Sequence, residues 1–200
     1  IAAGNPGMRS SIVAMTEEGR HYDYPDGVGC QIEDQSLDQY VRAAGFLNAG
    51  GFDAVSLQHE YGIFGGDCGS YLLTLLSRLK MPIVTTLHTV LAQPSAAQHR
   101  VLRRIADAST TLVVMAEKGG GLLAETYGVP ADKIELIPHG IPDCPFLEPE
   151  AAKAHRGFAG RSVILTFGLL SPNKGVEVMI EAMPAILKRR ADAVYVVLGA

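Results

Sequence analysis

Three of the six histidines lie close behind short apolar runs of the chain. His59 and His88 follow two such runs, His139 follows a third, and Glu60 comes directly after His59. Ligands of open parallel sheets bind outside the carboxyl ends of the strands, so these four side chains are candidates for contact with a substrate. Imidazole and carboxylate groups bind hydroxyls and transfer protons. Polar loops also tolerate histidine without any function, and the sequence leaves both interpretations open.

A glycine pair, Gly65 and Gly66, stands just before a predicted helix that begins near Asp67 or Gly69. We expect the backbone N–H groups of the pair to be free and to lie at the positive end of the helix dipole. Such a position suits a phosphate group or the hydroxyls of a sugar. A plain glycine turn is the alternative interpretation.

The segment 166–175 reads T-F-G-L-L-S-P-N-K-G. It predicts a strand that ends in Gly168, a short loop, and then Lys174 and Gly175 at the start of a helix. The ammonium group and the helix terminus would both oppose the negative charge of a diphosphate. A lysine that only decorates a loop is the alternative.

The sequence argues against several other chemistries. Ile63 stands where a zinc protease motif H-E-x-x-H starting at His59 needs its second histidine, and we expect no metal site. The usual glycine-rich dinucleotide loop, the P-loop and the G-x-S-x-G elbow are missing. The three cysteines are odd in number and form no C-x-x-C pair, which excludes a disulfide framework and favours a reducing cytosol.

Short, apolar, β-branched runs alternate with segments of helical period, and this alternation must position the candidate residues. Most runs are apolar throughout, which is typical of parallel strands covered by helices on both faces. The fold class is therefore α/β. The predicted strands are Ser11–Met15, Ala54–Leu57, Ile83–Leu87, Thr110–Met115, Ile134–Ile137, Val163–Phe167 and Val194–Leu198.

The chain divides at a segment rich in proline and glycine. Residues 1–140 are predicted to form one α/β domain, and 141–162 an interdomain linker. Residues 163–200 hold a single β-α-β unit, too small to be stable alone, which we interpret as the incomplete start of a second domain. We therefore expect a segment of a longer polypeptide.

Composition limits the function classes further. With 200 residues, 48% hydrophobic residues and a net charge of -4, the chain should bury a core and should not bind nucleic acid. No run approaches the ~20 apolar residues of a membrane span, so we expect a cytoplasmic protein. Two basic clusters on predicted helices leave peripheral contact with the inner face of the membrane open. These clusters are Arg100, Arg103 and Arg104, and Lys188, Arg189 and Arg190.

Four motifs together resemble family-4 glycosyltransferases of the GT-B fold. Segment 166–175 resembles the opening of their second domain, a strand, Gly-Arg, a short loop and Lys-Gly. Segment 127–134 (Y-G-V-P-A-D-K-I) with 137–141 (I-P-H-G-I) resembles the end of their first domain, and 86–89 (T-L-H-T) resembles their active-site histidine segment. The likeness runs from about Ala54 to Ala200. It implies a Rossmann-like first domain and the first β-α-β of a second Rossmann-like domain.

The resemblance implies a retaining hexosyltransferase of carbohydrate biosynthesis. It would move a sugar from a nucleotide-diphosphate sugar to a hydroxyl acceptor, without a metal or other cofactor, and this segment alone would be inactive. The implied catalytic residues are His88 and Lys174. The implied donor-binding residues are Gly168, Lys174, Gly175 and His139. The implied acceptor-binding residues are His59, Glu60, Gly65 and Gly66.

Two residues depart from the family pattern. Leu169 stands where many members carry an arginine that assists the lysine, and His139 replaces the usual asparagine. The alternative function is therefore a catalytically silent GT-B module that binds a sugar nucleotide or a protein partner. An isomerase on the same fold is a third interpretation. The pattern specifies neither the nucleotide, the sugar, the acceptor nor the oligomeric state.

Overall fold

The computed structural model describes residue 5 and residues 7–199, apart from the side chain of Asn173. Residues 1–4, 6 and 200, which the predicted domains include, lie outside the described residues. The chain divides into two compact units, Ile1–Gly140 and Ile141–Ala200. Each unit is described by itself below.

The first unit contains two parallel sheets. One pairs β1 (Ile12–Thr16) with β2 (Val28–Glu33). The other has the order β3-β4-β5-β6. Its strands are β3 (Val55–His59), β4 (Ile83–Leu87), β5 (Thr111–Val114) and β6 (Ile134–Leu136).

Helices connect the successive strands from β2 to β6, as parallel pairing requires, whereas β1 and β2 are joined by a loop. The helices are α1 (Leu37–Ala49), α2 (Leu72–Leu76), α3 (Ala96–Ala108) and α4 (Glu117–Tyr127), with short 3-10 turns at Asp67–Gly69 and Ala131–Lys133. Tyr40, Ala44 and Leu47 of α1 recur at helical spacing and are buried. Together with buried residues of β2, β3 and α2, they form one hydrophobic core. A second hydrophobic core is formed by residues of α3, α4 and β5.

The parallel α/β class predicted from the apolar runs is confirmed. All seven predicted strands are present, with ends that differ by one or two residues. Helix α4 ends at Tyr127, because Gly128 takes the left-handed conformation at φ +62° and Pro130 follows. Helix α3 begins at a reciprocal cap in which Ser95 and Gln98 bond to each other's backbone.

Strand β2 and the start of α2 were not predicted correctly. Residues 28–33 (V-G-C-Q-I-E) mix glycine and polar residues, and only Ile32 among them is buried, so the strand lacks an apolar run. Helix α2 begins at Leu72, after the 3-10 turn at Asp67–Gly69, and not at Asp67 or Gly69. Positive φ angles at Gly66, Cys68 and Gly69 keep the preceding chain out of the helix.

The second unit is a β-α-β arrangement preceded by a short helix. It contains α5 (Pro149–His155), β7 (Ser162–Phe167), a 3-10 turn (Pro172–Lys174), α6 (Val176–Arg189) and β8 (Ala193–Leu198). Strands β7 and β8 pair in parallel. Within the described part of this unit, Ala193 is the only buried apolar residue.

Among the described residues, we find no helix with the length and apolar character needed to cross a membrane.

Candidate functional site

The carboxyl ends of β3 and β4 bring two predicted site residues together. The strands pair in register with His59 opposite Leu87, so the next residue, His88, begins beside the end of β3. The backbone N–H of His88 donates to the carbonyl oxygen of His59 at 2.9 Å. Both histidines therefore lie at the same edge of one sheet, as expected for strands that run in parallel.

His88 presents an exposed imidazole at this edge. Its Nε2 lies 2.9 Å from Oε1 of Gln58, which holds the ring in one orientation. The ring of His139, which follows β6, lies with its centroid 6.1 Å from that of His88. The structure thus places two of the predicted histidines next to each other on the surface, although β4 and β6 are not neighbouring strands.

Glu60 lies half-buried beside them with both carboxylate oxygens engaged. Oε2 accepts a hydrogen bond of 2.8 Å from the hydroxyl of Thr89, and Oε1 accepts one of 2.8 Å from the backbone N–H of Tyr61. These two bonds fix the carboxylate between the loops that follow β3 and β4. A fixed carboxylate at a sheet edge can accept hydrogen bonds from the hydroxyls of a ligand.

His59 differs from the other two histidines because it is interior. It is 1% exposed, stacks on Phe64 at a centroid distance of 5.9 Å, and meets the edge of Tyr61 at 5.2 Å. Burial lowers the pKa of His59 to about 4, so the ring is neutral at pH 7. In this structure His59 shapes the loop behind the site, and its side chain does not lie on the surface.

The expectation of free N–H groups at Gly65 and Gly66 is wrong. The Gly65 N–H donates to the Tyr40 hydroxyl at 2.9 Å, and the Gly66 N–H donates to Oε1 of Gln35 at 3.3 Å. A Cβ built on Gly65 would overlap the carbonyl oxygen of Asp34. The glycines therefore allow the loop to pack closely against the chain after β2, and their amides are already used.

In the second unit, Gly168 at the end of β7 lies beside Lys174. Gly168 has φ +126° and donates its N–H to the carbonyl oxygen of Leu198 at 3.0 Å. A Cβ built on Gly168 would lie 3.5 Å from Nζ of Lys174, so the ammonium group lies over this glycine. Lys174 is exposed and has no ion-pair partner within the part of the chain that the structure describes.

Gly175 provides a left-handed turn between Lys174 and α6. Its φ is +60°, and its N–H donates to the carbonyl oxygen of Pro172 at 3.2 Å. The N–H of Gly175 is therefore not available to a ligand. The groups that remain for a ligand belong to the first turn of α6, because a first helical turn has no earlier carbonyls in its own helix.

Leu169 points a neutral side chain into solvent at the position where the family carries arginine. It is 79% exposed, and Leu170 beside it is 48% exposed. The loop after β7 thus offers apolar surface next to the ammonium group of Lys174.

Gln58 and Thr89, two residues at the carboxyl edge of the four-stranded sheet, were given no role from the sequence. Each contacts a predicted site residue, His88 in one case and Glu60 in the other. Both lie next to a predicted site residue in the sequence. Their contacts depend on the pairing of β3 with β4. Knowledge of the register of these two strands would therefore have identified both residues as neighbours of the site.

Within the residues that the structure describes, no group of three His, Cys, Asp or Glu side chains could hold a metal ion.

The family to which the chain belongs is decided by a match to a family model. Residues 9–143, more than half of the chain, match the model of Glycosyltransferase Family 4. The chain belongs to this family. The matched range includes His59, Glu60, His88 and His139, so the sheet edge described above lies within the part that this family shares.

Individual relatives and solved structures agree with this membership. The chain is 30% identical over 105 residues to a GDP-mannose-dependent alpha-(1-6)-phosphatidylinositol monomannoside mannosyltransferase of Mycobacterium tuberculosis. The aligned residues cover 50% of this chain and 26% of that protein. A glycosyltransferase from Rickettsia africae ESF-5 superposes with a TM-score of 0.57 and 21% identity, covering 85% of this chain and 47% of that one.

A third similar protein is HepE from Anabaena, solved in complex with UDP and glucose. Its TM-score is 0.56 at 14% identity, and the match covers 85% of this chain and 56% of that one. At such identities the likeness concerns the fold, and it confirms the predicted GT-B type of α/β architecture. The chain spans about a quarter of the curated relative and about half of these solved chains.

Proposed function

We propose that the protein carrying this chain is a glycosyltransferase that moves a sugar from a nucleotide-diphosphate sugar to a hydroxyl acceptor. The observation that carries this proposal is the family match over residues 9–143. We further propose that the sugar is a hexose, that transfer proceeds with retention of configuration, and that it needs no metal ion.

Lys174 supports the metal-free part of the proposal. When the nucleotide diphosphate departs, negative charge builds on its oxygens, and a fixed positive group lowers the barrier most effectively there. The ammonium group of Lys174 lies over Gly168 and has no ion-pair partner among the described residues, so its charge is available. The first turn of α6 adds the positive end of a helix of 14 residues.

The carboxyl edge of the four-stranded sheet β3-β4-β5-β6 supplies the groups for the sugar and the acceptor. We assign His88 to the reacting sugar or the leaving group and His139 to the donor, since both imidazoles are exposed and adjacent. Glu60, fixed by Thr89, would accept hydrogen bonds from acceptor hydroxyls. His59, Gly65 and Gly66 would support this surface from behind.

Two donors are the first to test. The Mycobacterium tuberculosis relative is named as GDP-mannose-dependent, and Anabaena HepE was solved with UDP-glucose as well as with UDP. The natural protein that carries this chain should be incubated with each donor in EDTA, with a mixture of sugar alcohols as acceptors. We expect release of the nucleoside diphosphate and an NMR spectrum of the product with the anomeric configuration of the donor. An inverted product would overturn retention, and loss of turnover in EDTA would overturn metal independence.

A catalytically silent module that binds a sugar nucleotide or a protein partner is the second candidate. The exposed Leu169, in place of the family arginine, favours it because one cation is missing from the donor side. Calorimetry separates the two candidates. A silent module that binds a sugar nucleotide gives a binding signal with the donor but releases no nucleoside diphosphate when the mixture is assayed for it. The transferase binds the donor and also releases the nucleoside diphosphate.

Peripheral membrane contact is a separate proposal, and the structure narrows the residues available for it. Arg103 donates to the carbonyl oxygens of Tyr127 and Gly128 and pairs with Asp107, so it belongs to the packing of α3. Arg100 and Arg104 remain on this face. Sedimentation with vesicles of anionic lipid should be weakened in an Arg100→Gln, Arg104→Gln double variant, and equal sedimentation would exclude this face as the contact.

A further inference from the structure

The exposed face of β3 and β4 carries a row of polar side chains. Leu57 and His59 point into the core, so Ser56 and Gln58 lie on the opposite face of β3. Gln58 pairs with Thr86 in the register of the two strands. His88 follows Thr86 by two residues and continues the row on the same face.

Contacts within this row orient the amide of Gln58. Its Nε2 donates to Oγ of Ser56 at 3.2 Å and to Oγ1 of Thr86 at 3.4 Å, which gives both amide hydrogens an acceptor. Its Oε1 then faces Nε2 of His88 at 2.9 Å. In the flipped amide, the oxygen would accept from the Ser56 and Thr86 hydroxyls and only one N–H would have a protein acceptor, so the orientation with Oε1 toward His88 is the one that gives both N–H groups an acceptor.

A carbonyl oxygen can only accept a hydrogen bond, and this fixes the form of the imidazole. We propose that Gln58 is a positioning residue that holds His88 in the tautomer with hydrogen on Nε2, so that Nδ1 offers its lone pair to a ligand. Nδ1 of neutral His88 would then accept a hydrogen bond from a sugar hydroxyl. The tautomer follows from the contacts alone, whereas the use of Nδ1 for a sugar rests on the proposed glycosyl transfer.

The tautomer can be measured without any substrate. The natural protein is labelled with ¹⁵N-histidine, and the two-bond ¹H–¹⁵N correlation spectrum of the imidazoles is recorded at a pH where His88 is neutral. A His88→Gln variant identifies the His88 signals. We expect the pattern of the Nε2-protonated tautomer for wild-type His88, and a pattern with hydrogen on Nδ1 would overturn the proposal.

Variants of Gln58 test whether this residue causes the preference. Gln58→Met keeps the length of the side chain without an acceptor, and we expect a mixture of tautomers. Gln58→Glu keeps an acceptor for Nε2–H and should keep the wild-type pattern. Gln31→Met, at an exposed position of β2, is the matched control and should leave the His88 signals unchanged. An unchanged His88 pattern in Gln58→Met would also overturn the proposal.

Turnover of GDP-mannose or UDP-glucose separates this proposal from the proposed function. We expect Gln58→Met to lower kcat by about two- to threefold and to change KM little, since only the fraction of the variant with the Nε2-protonated tautomer offers Nδ1 as an acceptor in the reacting state. If wild-type His88 shows the Nε2-protonated pattern but the wild type consumes neither donor, the result counts against these two donors. The role of Gln58 toward His88 would then stand. A correct tautomer with equal kcat in wild type and Gln58→Met would show that Nδ1 does not serve the reaction.

Discussion

Among the single side chains, three charged or titratable groups stand in very different surroundings. Lys174 is exposed and unpaired among the described residues, Glu60 has both oxygens engaged, and His59 is buried and neutral. Exposed groups can exchange water for a ligand without breaking contacts inside the protein, and each oxygen of the Glu60 carboxylate can still accept a second hydrogen bond. Direct roles toward the substrate are therefore proposed for Lys174, His88 and Glu60, and a supporting role for His59.

The burial of His59 predicts a loss of stability in mild acid. Its pKa is about 4 in the folded protein and about 6.5 when unfolded, so between these values the unfolded state binds the extra proton. The free energy of unfolding should therefore fall as the pH drops below about 6.5, by roughly 3 kcal/mol when the pH reaches about 4.

Urea denaturation at several pH values measures this dependence. The contribution of His59 should vanish in His59→Gln, which unfolds more easily at pH 7 but loses less stability on acidification. His155→Gln, on the exposed surface of α5, is the control. An equal acid slope in wild type and His59→Gln would show that His59 is not the group that titrates.

The missing cation at Leu169 predicts a gain when an arginine is restored. Leu169→Arg places a guanidinium in the loop that carries Lys174, and a charge-assisted bond to a diphosphate should tighten binding of UDP or GDP by about tenfold, about 1.4 kcal/mol. Isothermal titration calorimetry measures the change. Leu147→Arg adds the same charge at a site 75% exposed and should have little effect. Equal affinities of both variants would mean that this loop does not face the diphosphate.

At the scale of helices and strands, the loop after β3 is held by backbone contacts that only glycine permits. Gly65 packs against the carbonyl of Asp34, and the Tyr40 hydroxyl joins both segments by accepting from the Gly65 N–H and donating to the Asp34 oxygen. This arrangement connects the ends of β2 and β3. The conformation of the segment that carries Glu60 therefore depends on the close packing of this loop against the chain after β2.

Gly65→Ala should destabilise the first unit by more than about 2 kcal/mol, because a Cβ there meets a backbone atom that cannot move aside. Thermal unfolding followed by circular dichroism measures the effect. Gly45→Ala is the matched control, since a Cβ on this exposed position of α1 meets nothing within 4 Å. The control should be neutral or stabilising by up to about 1 kcal/mol. A Gly65→Ala protein as stable as wild type would contradict the packing described.

Elements with strong local signals could be predicted from the sequence, and those set by distant contacts could not. The strand Ile83–Leu87 was predicted with both its ends, because its run of apolar and β-branched residues is a local signal. Strand β2 was missed because its residues gain their strand conformation from pairing with β1. The hydrogen bonds of Gly65 and Gly66 were missed for the same reason, since their acceptors lie 25 and 31 residues away.

The candidate site shows the same limit. The residue types behind each strand identified His88, His139 and Glu60 as a group, because parallel strands gather their carboxyl ends at one edge. The burial of His59 and the bond from Gln58 to His88 depend on which face of β3 meets the core. One residue of register decides that face, and a single sequence does not fix it.

For the molecule as a whole, the proposed reaction needs groups from both units. His88 and His139 belong to the first unit, whereas Gly168 and Lys174 belong to the second. The second unit leaves large apolar side chains exposed on both strands and on α6, including Phe167, Val178 and Leu198. The residues for which roles are proposed are therefore divided between the two units, and activity is proposed for the natural protein that carries this chain.

The most direct test of glycosyl transfer is the release of nucleoside diphosphate by the natural protein and by its Lys174→Met variant. GDP-mannose and UDP-glucose are supplied in EDTA, and Lys188→Met, exposed in the last turn of α6, is the control. We predict release from at least one donor by wild type and by Lys188→Met, and a rate about a hundredfold lower in Lys174→Met, about 3 kcal/mol of transition-state stabilisation. Lys174→Met turnover within threefold of wild type would contradict the account.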